Sequence, residues 1–257
     1  MELEALNSLH IEDIKNENHP SAFFETEEYK VLIFRFFREK KSNIDVFSLS
    51  FLINNHQEIF YFNKETNLMT KLSPVEFYQF IDTIIDEGIE YLNSLIKRIE
   101  EMEESIFENA DSIKNWFELK KQMTRIERIL SHILKIEEQF FDKFNVFKKN
   151  NNLKAGFEDI DEHLNRALRT TQANSLKLDH IYNIRTALMN EKTNSVMYIL
   201  TVISAIFLPL NLLVGFFGMN TDGLYFSGNP NGTIIVTTIL GTTILLMSLF
   251  FMKKRWL

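Results

Sequence analysis

The chain has 257 residues, 45% of them hydrophobic and 25% charged, and its formal net charge is −7. Residues 1–192 carry 25 basic and 34 acidic side chains, a balance that argues against binding nucleic acid or an anionic membrane surface. The absence of Cys excludes disulfides and thiolate metal sites.

Residues 29–72 are expected to form a small sheet of four or five strands, partly antiparallel. The segments YKVLIFRFFRE, NIDVFSLSFLIN and EIFYFNK are rich in β-branched and aromatic residues, which are typical of strands. The turn-forming stretches NHQE and NKETN separate the later strands.

After this region the apolar period changes from that of a strand to that of a helix. Ser73 is an expected N-cap and Pro74 the first helical residue. One helix is predicted from Pro74 to about residue 108, and a second over about 111–147. The second carries an apolar stripe at intervals of three and four residues, which predicts a packed face; the stripe consists of Trp116, Leu119, Met123, Ile126, Leu130, Ile133, Phe140 and Phe144.

A third helix is predicted over residues 157–217. The stretch KKNNNLKAG breaks the helical pattern before it, and from Phe157 onward the next Pro is Pro209 and the next Gly is Gly215. A helix of this length would be on the order of 90 Å long at 1.5 Å per residue.

Two membrane-spanning helices are predicted near the C-terminus. No Lys or Arg occurs between Lys192 and Lys253, and Asp222 is the only acid in that interval. Residues 196–217 and 233–252 are two mostly apolar runs, each long enough as a helix to cross the ~30 Å hydrocarbon core. The third helix would therefore begin outside the membrane and end across it.

The orientation follows from the basic residues after the second span. Lys253, Lys254 and Arg255 belong in the cytoplasm by the positive-inside rule, and two spans then place residues 1–192 there too, with only the loop 218–232 outside. The start of the chain lacks the apolar region of a signal peptide. The expected protein lies in an inner or plasma membrane and has a β-rich cytoplasmic part, a helical cytoplasmic part with a stalk helix, and a two-helix transmembrane domain: residues 1–72, 73–192 and 193–257.

The first span carries a polar stripe. On a helical wheel, seven residues fall within an arc of roughly 100°, and their spacing of three and four residues is that of a heptad seam. An amide facing lipid is costly, so the stripe should face protein or water. The residues alone leave two interpretations open, ordinary helix packing and a pore formed by several subunits; they are Asn194, Met197, Thr201, Ser204, Leu208, Asn211 and Gly215.

These features resemble the CorA family of divalent-cation channels and transporters, also called the two-transmembrane GxN family. Gly218-Met219-Asn220 at the end of the first span corresponds to the family signature, Pro209 and Gly215 fall at family positions, and the chain ends in KKRWL. The resemblance implies a homopentamer with an α+β cytoplasmic funnel domain, a long stalk helix and a central pore in the lipid bilayer. It implies transport of divalent cations, no catalytic activity and no cofactor.

The resemblance also implies roles for single residues. Asn220 would form the outer ring of a selectivity filter and hold a cation through its hydration waters, Gly218 would allow a sharp turn, and Met219 would pack as an anchor. Apolar constrictions and a polar ring would line the pore; the family's lining positions are Asn194, Met197, Leu200, Leu208 and Asn211.

The loop after Asn220 departs from the family pattern. The Met-Pro-Glu-Leu segment typical of Mg²⁺-transporting members is absent, and GMNTDGLYF is closer to the ZntB-like branch, although Asp222 replaces a Gly. Asp222 is expected to form a turn, and five copies would also concentrate cations at the pore mouth. The ion stays open between Zn²⁺, Mg²⁺, Co²⁺ and Ni²⁺, and the alternative function is a non-conducting sensor or scaffold with the same fold.

Overall fold

The computed structural model describes residues 6–41, 43–105, 112–143, 150–219 and 229–253. Within these residues the chain forms two compact units, residues 1–183 and 184–257. In chain order the elements are α1 (Ser8–Lys15), β1 (Ala22–Glu25), β2 (Tyr29–Lys40), β3 (Asn43–Asn54), β4 (Ile59–Asn63), β5 (Leu68–Leu72), α2 (Pro74–Glu104), α3 (Ser112–Lys143), α4 (Asn151–Phe217) and α5 (Gly232–Lys253).

The sheet is a five-stranded meander in which each strand pairs with the next. The prediction that only part of it is antiparallel was wrong, because every pairing among the described strands is antiparallel. The three strand-like segments were predicted correctly, but β1 lies outside the predicted region. Its four residues are too few to show a period, and α1, eight residues long, gave no sequence prediction either.

The sheet is covered on both faces, as the alternation of side chains along β2 requires. Val31 and Ile33 point into a small core shared with Ile14 of α1. Leu32 and Phe34 point into the main core, to which α2, α3 and α4 contribute. Strand β2 is therefore apolar on both faces over residues 31–34, as a strand segment buried on both faces must be.

Helix α2 begins where its sequence signals placed it. The Ser73 hydroxyl accepts from the Glu76 amide at 3.2 Å and the Glu76 carboxylate accepts from the Ser73 amide at 2.7 Å, a capping box. The helix ends at Glu104, about four residues before the predicted end. The apolar stripe of α3 is confirmed, since its members from Leu119 to Phe140 are buried; Phe144 lies outside the described residues.

Helix α4 begins at Asn151, six residues before the predicted start. The asparagines that were interpreted as a break form its cap: the Asn150 side chain accepts from the amides of Asn152 and Leu153 at 3.0 and 3.4 Å. Gly156 lies inside the first turns, so the KKNNNLKAG stretch contains the helix start rather than preceding it.

The second unit contains the end of α4 and α5. Both helices are long and apolar enough to cross a membrane, and almost all of each apolar segment is exposed. Pro209 lies within α4 without ending it. Four of the five threonines of α5 donate their hydroxyls to carbonyls three or four residues earlier, so these polar groups are satisfied within the helix; they are Thr237, Thr238, Thr242 and Thr243.

Candidate pore-lining surface

The eight residues predicted to line a pore are all exposed on α4 in the single chain. Leu208 is the most exposed of the three large apolar residues among them, at 77%, and Met197 and Leu200 are each 57% exposed. The set comprises Asn194, Met197, Leu200, Thr201, Ser204, Leu208, Asn211 and Gly215. The structure therefore places them on a surface that nothing in the described part of the same chain covers.

The opposite side of α4 is partly covered, and Val202 on it is buried. Its least exposed positions recur every three or four residues and lie roughly 150° round the helix from the polar stripe at 100° per residue; they are Val202, Ala205, Ile206, Pro209, Leu210, Leu213 and Phe217. Helix α5 carries a similar stripe that includes Gly232 and Phe251, both buried. The two stripes indicate that α4 and α5 pack on each other and leave the polar side of α4 free.

The free side offers neutral oxygen atoms and no charge. The Thr201 hydroxyl donates to the Met197 carbonyl at 2.8 Å, so its oxygen still has lone pairs that can accept from water. Asn194, Ser204 and Asn211 add amide and hydroxyl oxygens. Hard divalent cations prefer oxygen ligands and keep their waters, and such a surface can hydrogen-bond those waters without trapping the ion.

The last turn of α4 explains a glycine at position 218. The Gly218 amide donates to the Val214 carbonyl at 2.8 Å, and the Met219 amide to the Phe216 carbonyl at 3.4 Å. A β-carbon on Gly218 would lie 2.9 Å from the Val214 carbonyl oxygen, too close for any other residue without a backbone shift. Met219 is 53% exposed among the described residues. Asn220 and Asp222 lie outside the described residues.

One buried carboxyl was missed by the sequence analysis. Glu137 is 5% exposed and occupies a position of the α3 stripe that was taken as apolar. Its distances of four residues from Ile133 and three from Phe140 continue the stripe, and that spacing was the available signal.

Comparisons with known proteins agree with this architecture. The model of the CorA-like Mg²⁺ transporter protein family matches residues 2–255. The chain is 24% identical over 189 residues to the cobalt/magnesium transport protein CorA of Thermotoga maritima, covering 70% of this chain and 52% of that one. It is 21% identical over 180 residues to the zinc transport protein ZntB of Pectobacterium carotovorum, covering 68% and 54%. The chain thus spans about half the length of these curated relatives.

The fold has a solved counterpart that extends over both units. The complete structure of the CorA magnesium transporter from Methanocaldococcus jannaschii matches with a TM-score of 0.82 at 17% sequence identity, covering 99% of this chain and 85% of that one. This match confirms the predicted fold class, an α+β domain with a long helix followed by an apolar helix. Since the family model extends over nearly the whole sequence, the chain belongs to the CorA-like Mg²⁺ transporter family, whose members are membrane transporters of divalent cations and not enzymes.

Proposed function

We propose that this chain forms a homopentamer that conducts divalent cations through a central pore lined by the polar side of α4. Gly218, Met219 and Asn220 would form the filter at the outer mouth, and Asp222 would attract cations there. Both termini would lie in the cytoplasm, as the basic residues after the second span require by the positive-inside rule.

The observation that supports this proposal most strongly is the arrangement of α4 in the second unit. Its polar stripe is exposed, whereas its opposite side is partly covered. An exposed amide such as that of Asn211 is unfavourable against lipid, so this side needs water or protein. Several copies of α4 gathered round an axis would supply both water and protein contacts to this side. A single pair of spans cannot enclose a conduit.

The ion is proposed as Mg²⁺ or Zn²⁺, with Co²⁺ and Ni²⁺ as further candidates. The names of two relatives support Mg²⁺, Zn²⁺ and Co²⁺, since one is a cobalt/magnesium transport protein and the other a zinc transport protein. The polar stripe of α4 offers only neutral oxygen atoms to a cation. It therefore does not favour Zn²⁺, the softer ion, through nitrogen or sulfur ligands. Metal preference is therefore expected to depend on hydration and on the mouth of the pore.

The test is cation flux into liposomes containing the full chain, measured separately with Mg²⁺, Zn²⁺, Co²⁺ and Ni²⁺, with and without a pH gradient. Asn220→Ala should reduce flux roughly tenfold or more, because the ring of amide oxygens that receives the hydrated cation is lost. Asn231→Ala removes an amide from an exposed position before α5 and should leave flux unchanged.

Two results would contradict the proposal in different ways. Flux that is equal in wild type and Asn220→Ala would overturn the filter role of Asn220 while leaving transport in place. A wild-type protein that is correctly folded and inserted but transports none of the four ions would instead support the sensor or scaffold function.

A further inference from the structure

Glu137 is an acid in a position that the helix geometry assigns to the core. The α3 stripe runs through Leu130, Ile133, Glu137 and Phe140 at intervals of three, four and three residues, and all four are buried. A core position is the least favourable place for an ionised carboxylate. The residue therefore needs either a cation or a proton.

The inner side of Glu137 offers no charge. The residues that line the space beside it on β2 and α2 are apolar, and so are those on the adjacent turns of α3 and α4; they include Phe34, Phe36, Phe77, Ile81, Phe140 and Ile160. Water and counter-ions are therefore excluded from this side. The carboxyl can be neutralised only from the outer side, between α3 and α4.

The outer side of Glu137 is bordered by further acids. The charges that act on its carboxyl from the described residues are those of Asp161 on α4 and Glu138 on α3. Two lysines line the same cleft, Lys135 and Lys154. Lys154 lies 3.6 Å from the Glu158 carboxylate, and neither lysine forms an ion pair with Glu137 among the described residues. A proton, and not a cation, is therefore what neutralises the residue.

The proton has a defined place. Glu137 and Asp161 line the same cleft from the two helices, and a hydrogen bond between two carboxyl groups forms only while one of them is protonated. The Asp161 carboxylate also accepts from the Asn165 side chain at 3.0 Å. Asp161 is thus held as the acceptor, and Glu137 is the group that donates.

We propose that Glu137 and Asp161 form a proton-dependent lock between α3 and the first turns of α4. While Glu137 is protonated, its hydroxyl donates to Asp161 and the two helices are held together. Loss of the proton places two negative charges side by side, one of them among aromatic rings, and the helices separate locally. Because α4 continues into the first span, the lock acts on the helix that the proposed function assigns to the pore.

The direction of the pH effect follows from the environment of the group. Burial, the charge of Asp161 and the hydrogen bond with Asp161 raise the pKa of Glu137 from 4.5 to about 8. A carboxyl with a raised pKa binds its proton more tightly in the closed state than in the opened state. The closed state is therefore favoured at acidic pH and loses stability as the pH rises from about 4.5 to about 8.

The test is hydrogen exchange of the full chain in detergent or nanodiscs, followed in peptides covering residues 134–143 and 151–168. After correction for the intrinsic pH dependence of exchange, the local opening constant in the wild type should increase about 50-fold between pH 6 and pH 8, as linkage to one carboxyl predicts. Glu137→Gln keeps the shape and a hydrogen-bond donor without a titratable proton, so its opening constant should be independent of pH. Glu118→Gln, at an exposed position of α3 outside this cleft, should behave as the wild type.

The lock is overturned if the Glu137→Gln protein keeps the pH response of the wild type, or if the wild type shows none. Asp161→Asn provides a second test should Glu137→Gln not fold. Removing that charge lowers the pKa of Glu137, so the midpoint of the pH response should move to lower pH, and an unmoved midpoint contradicts the lock.

The effect of the lock on transport rests on the proposed function: flux should vary with cytoplasmic pH in the wild type and not in Glu137→Gln. Absence of all flux would contradict transport and leave the exchange result standing.

Discussion

Gly156 lies in the first turns of α4 at a point where the helix approaches α2 closely. A β-carbon at this position would lie 2.7 Å from Cε2 and 2.8 Å from Cζ of Tyr78. The Tyr78 ring is held in place by Phe157, whose ring centroid lies 5.5 Å away in an edge-on arrangement. The glycine therefore permits the contact between the two helices, although glycine is unfavourable inside a helix.

Gly156→Ala is expected to destabilise the protein by up to about 2 kcal/mol. Overpacking costs roughly 1–3 kcal/mol, and the gain in helix propensity offsets about 1 kcal/mol of this. Thermal unfolding of the full chain should show a melting temperature lower by several degrees. In a Tyr78→Ala background the ring is absent, so the same substitution should become stabilising. A destabilisation of equal size in both backgrounds would show that the ring is not the cause.

The start of α4 shows what sequence patterns reveal at the scale of single residues. Three consecutive asparagines were interpreted as a break, yet Asn150 is the cap and the next two residues are helical. Asparagine is favoured both in turns and at helix N-caps, and the choice between these roles depends on tertiary contacts. The contact between Gly156 and Tyr78 joins residues 78 positions apart, which a local pattern cannot show.

At the scale of elements, α3 and α4 are joined by a pair of donors one turn apart. The Trp116 indole N–H donates to the Leu178 carbonyl at 2.7 Å. The Lys120 ammonium donates to the Ser175 carbonyl at 3.0 Å, to the Ser175 hydroxyl at 2.8 Å and to the Asp179 carboxylate at 2.8 Å. Both donors bond carbonyls on the surface of α4, so they fix the position of α3 along it.

Lys120→Met is expected to destabilise the first unit by about 1–2 kcal/mol, since hydrogen bonds from a charged donor contribute more than neutral ones but this one is partly exposed to solvent. The methionine keeps the apolar stem and removes the three bonds. Thermal unfolding of the full chain measures the effect. Lys121→Met, at the exposed next position, is the matched control and should change stability by less than about 0.5 kcal/mol; equal effects at the two positions would contradict the role of Lys120.

Long elements with a strong period could be predicted from the sequence, and short ones could not. The α3 stripe and the β2 and β3 segments extend over many residues, so their hydrophobic pattern remains recognisable despite exceptions at single positions. Helix α1 and strand β1 are eight and four residues long and depend on the sheet they cover or extend. Glu137 was missed because the sequence gives no reason to bury a carboxyl in an apolar stripe. That reason appears only when the fold places Asp161 opposite it.

At the scale of the whole molecule, the two units differ in what they bury. The first has a continuous core between its sheet and helices. In the second, Val202, Gly232 and Phe251 are the buried members of two helices that are otherwise largely exposed. Apolar positions of α4 such as Ile203 are exposed in a single chain, as the polar stripe is, so exposure alone does not separate a surface facing lipid from one facing a pore. The polar stripe predicts such a difference from the sequence, and the proposed assembly of several copies of the chain would create it.

Leu208 and Ile203 separate these two surfaces. Both are exposed in the single chain, at 77% and 48%, but Leu208 lies on the stripe and Ile203 about 140° from Leu208 round the helix. Because the chain has no Cys, single-cysteine variants carry no background thiol. A thiol reacts as its thiolate, which requires water, so Leu208→Cys should react with a cationic methanethiosulfonate roughly tenfold faster than Ile203→Cys and lose cation flux on reaction. Equal reaction rates, or reaction of Leu208→Cys without loss of flux, would place the conduction path elsewhere than along the polar stripe.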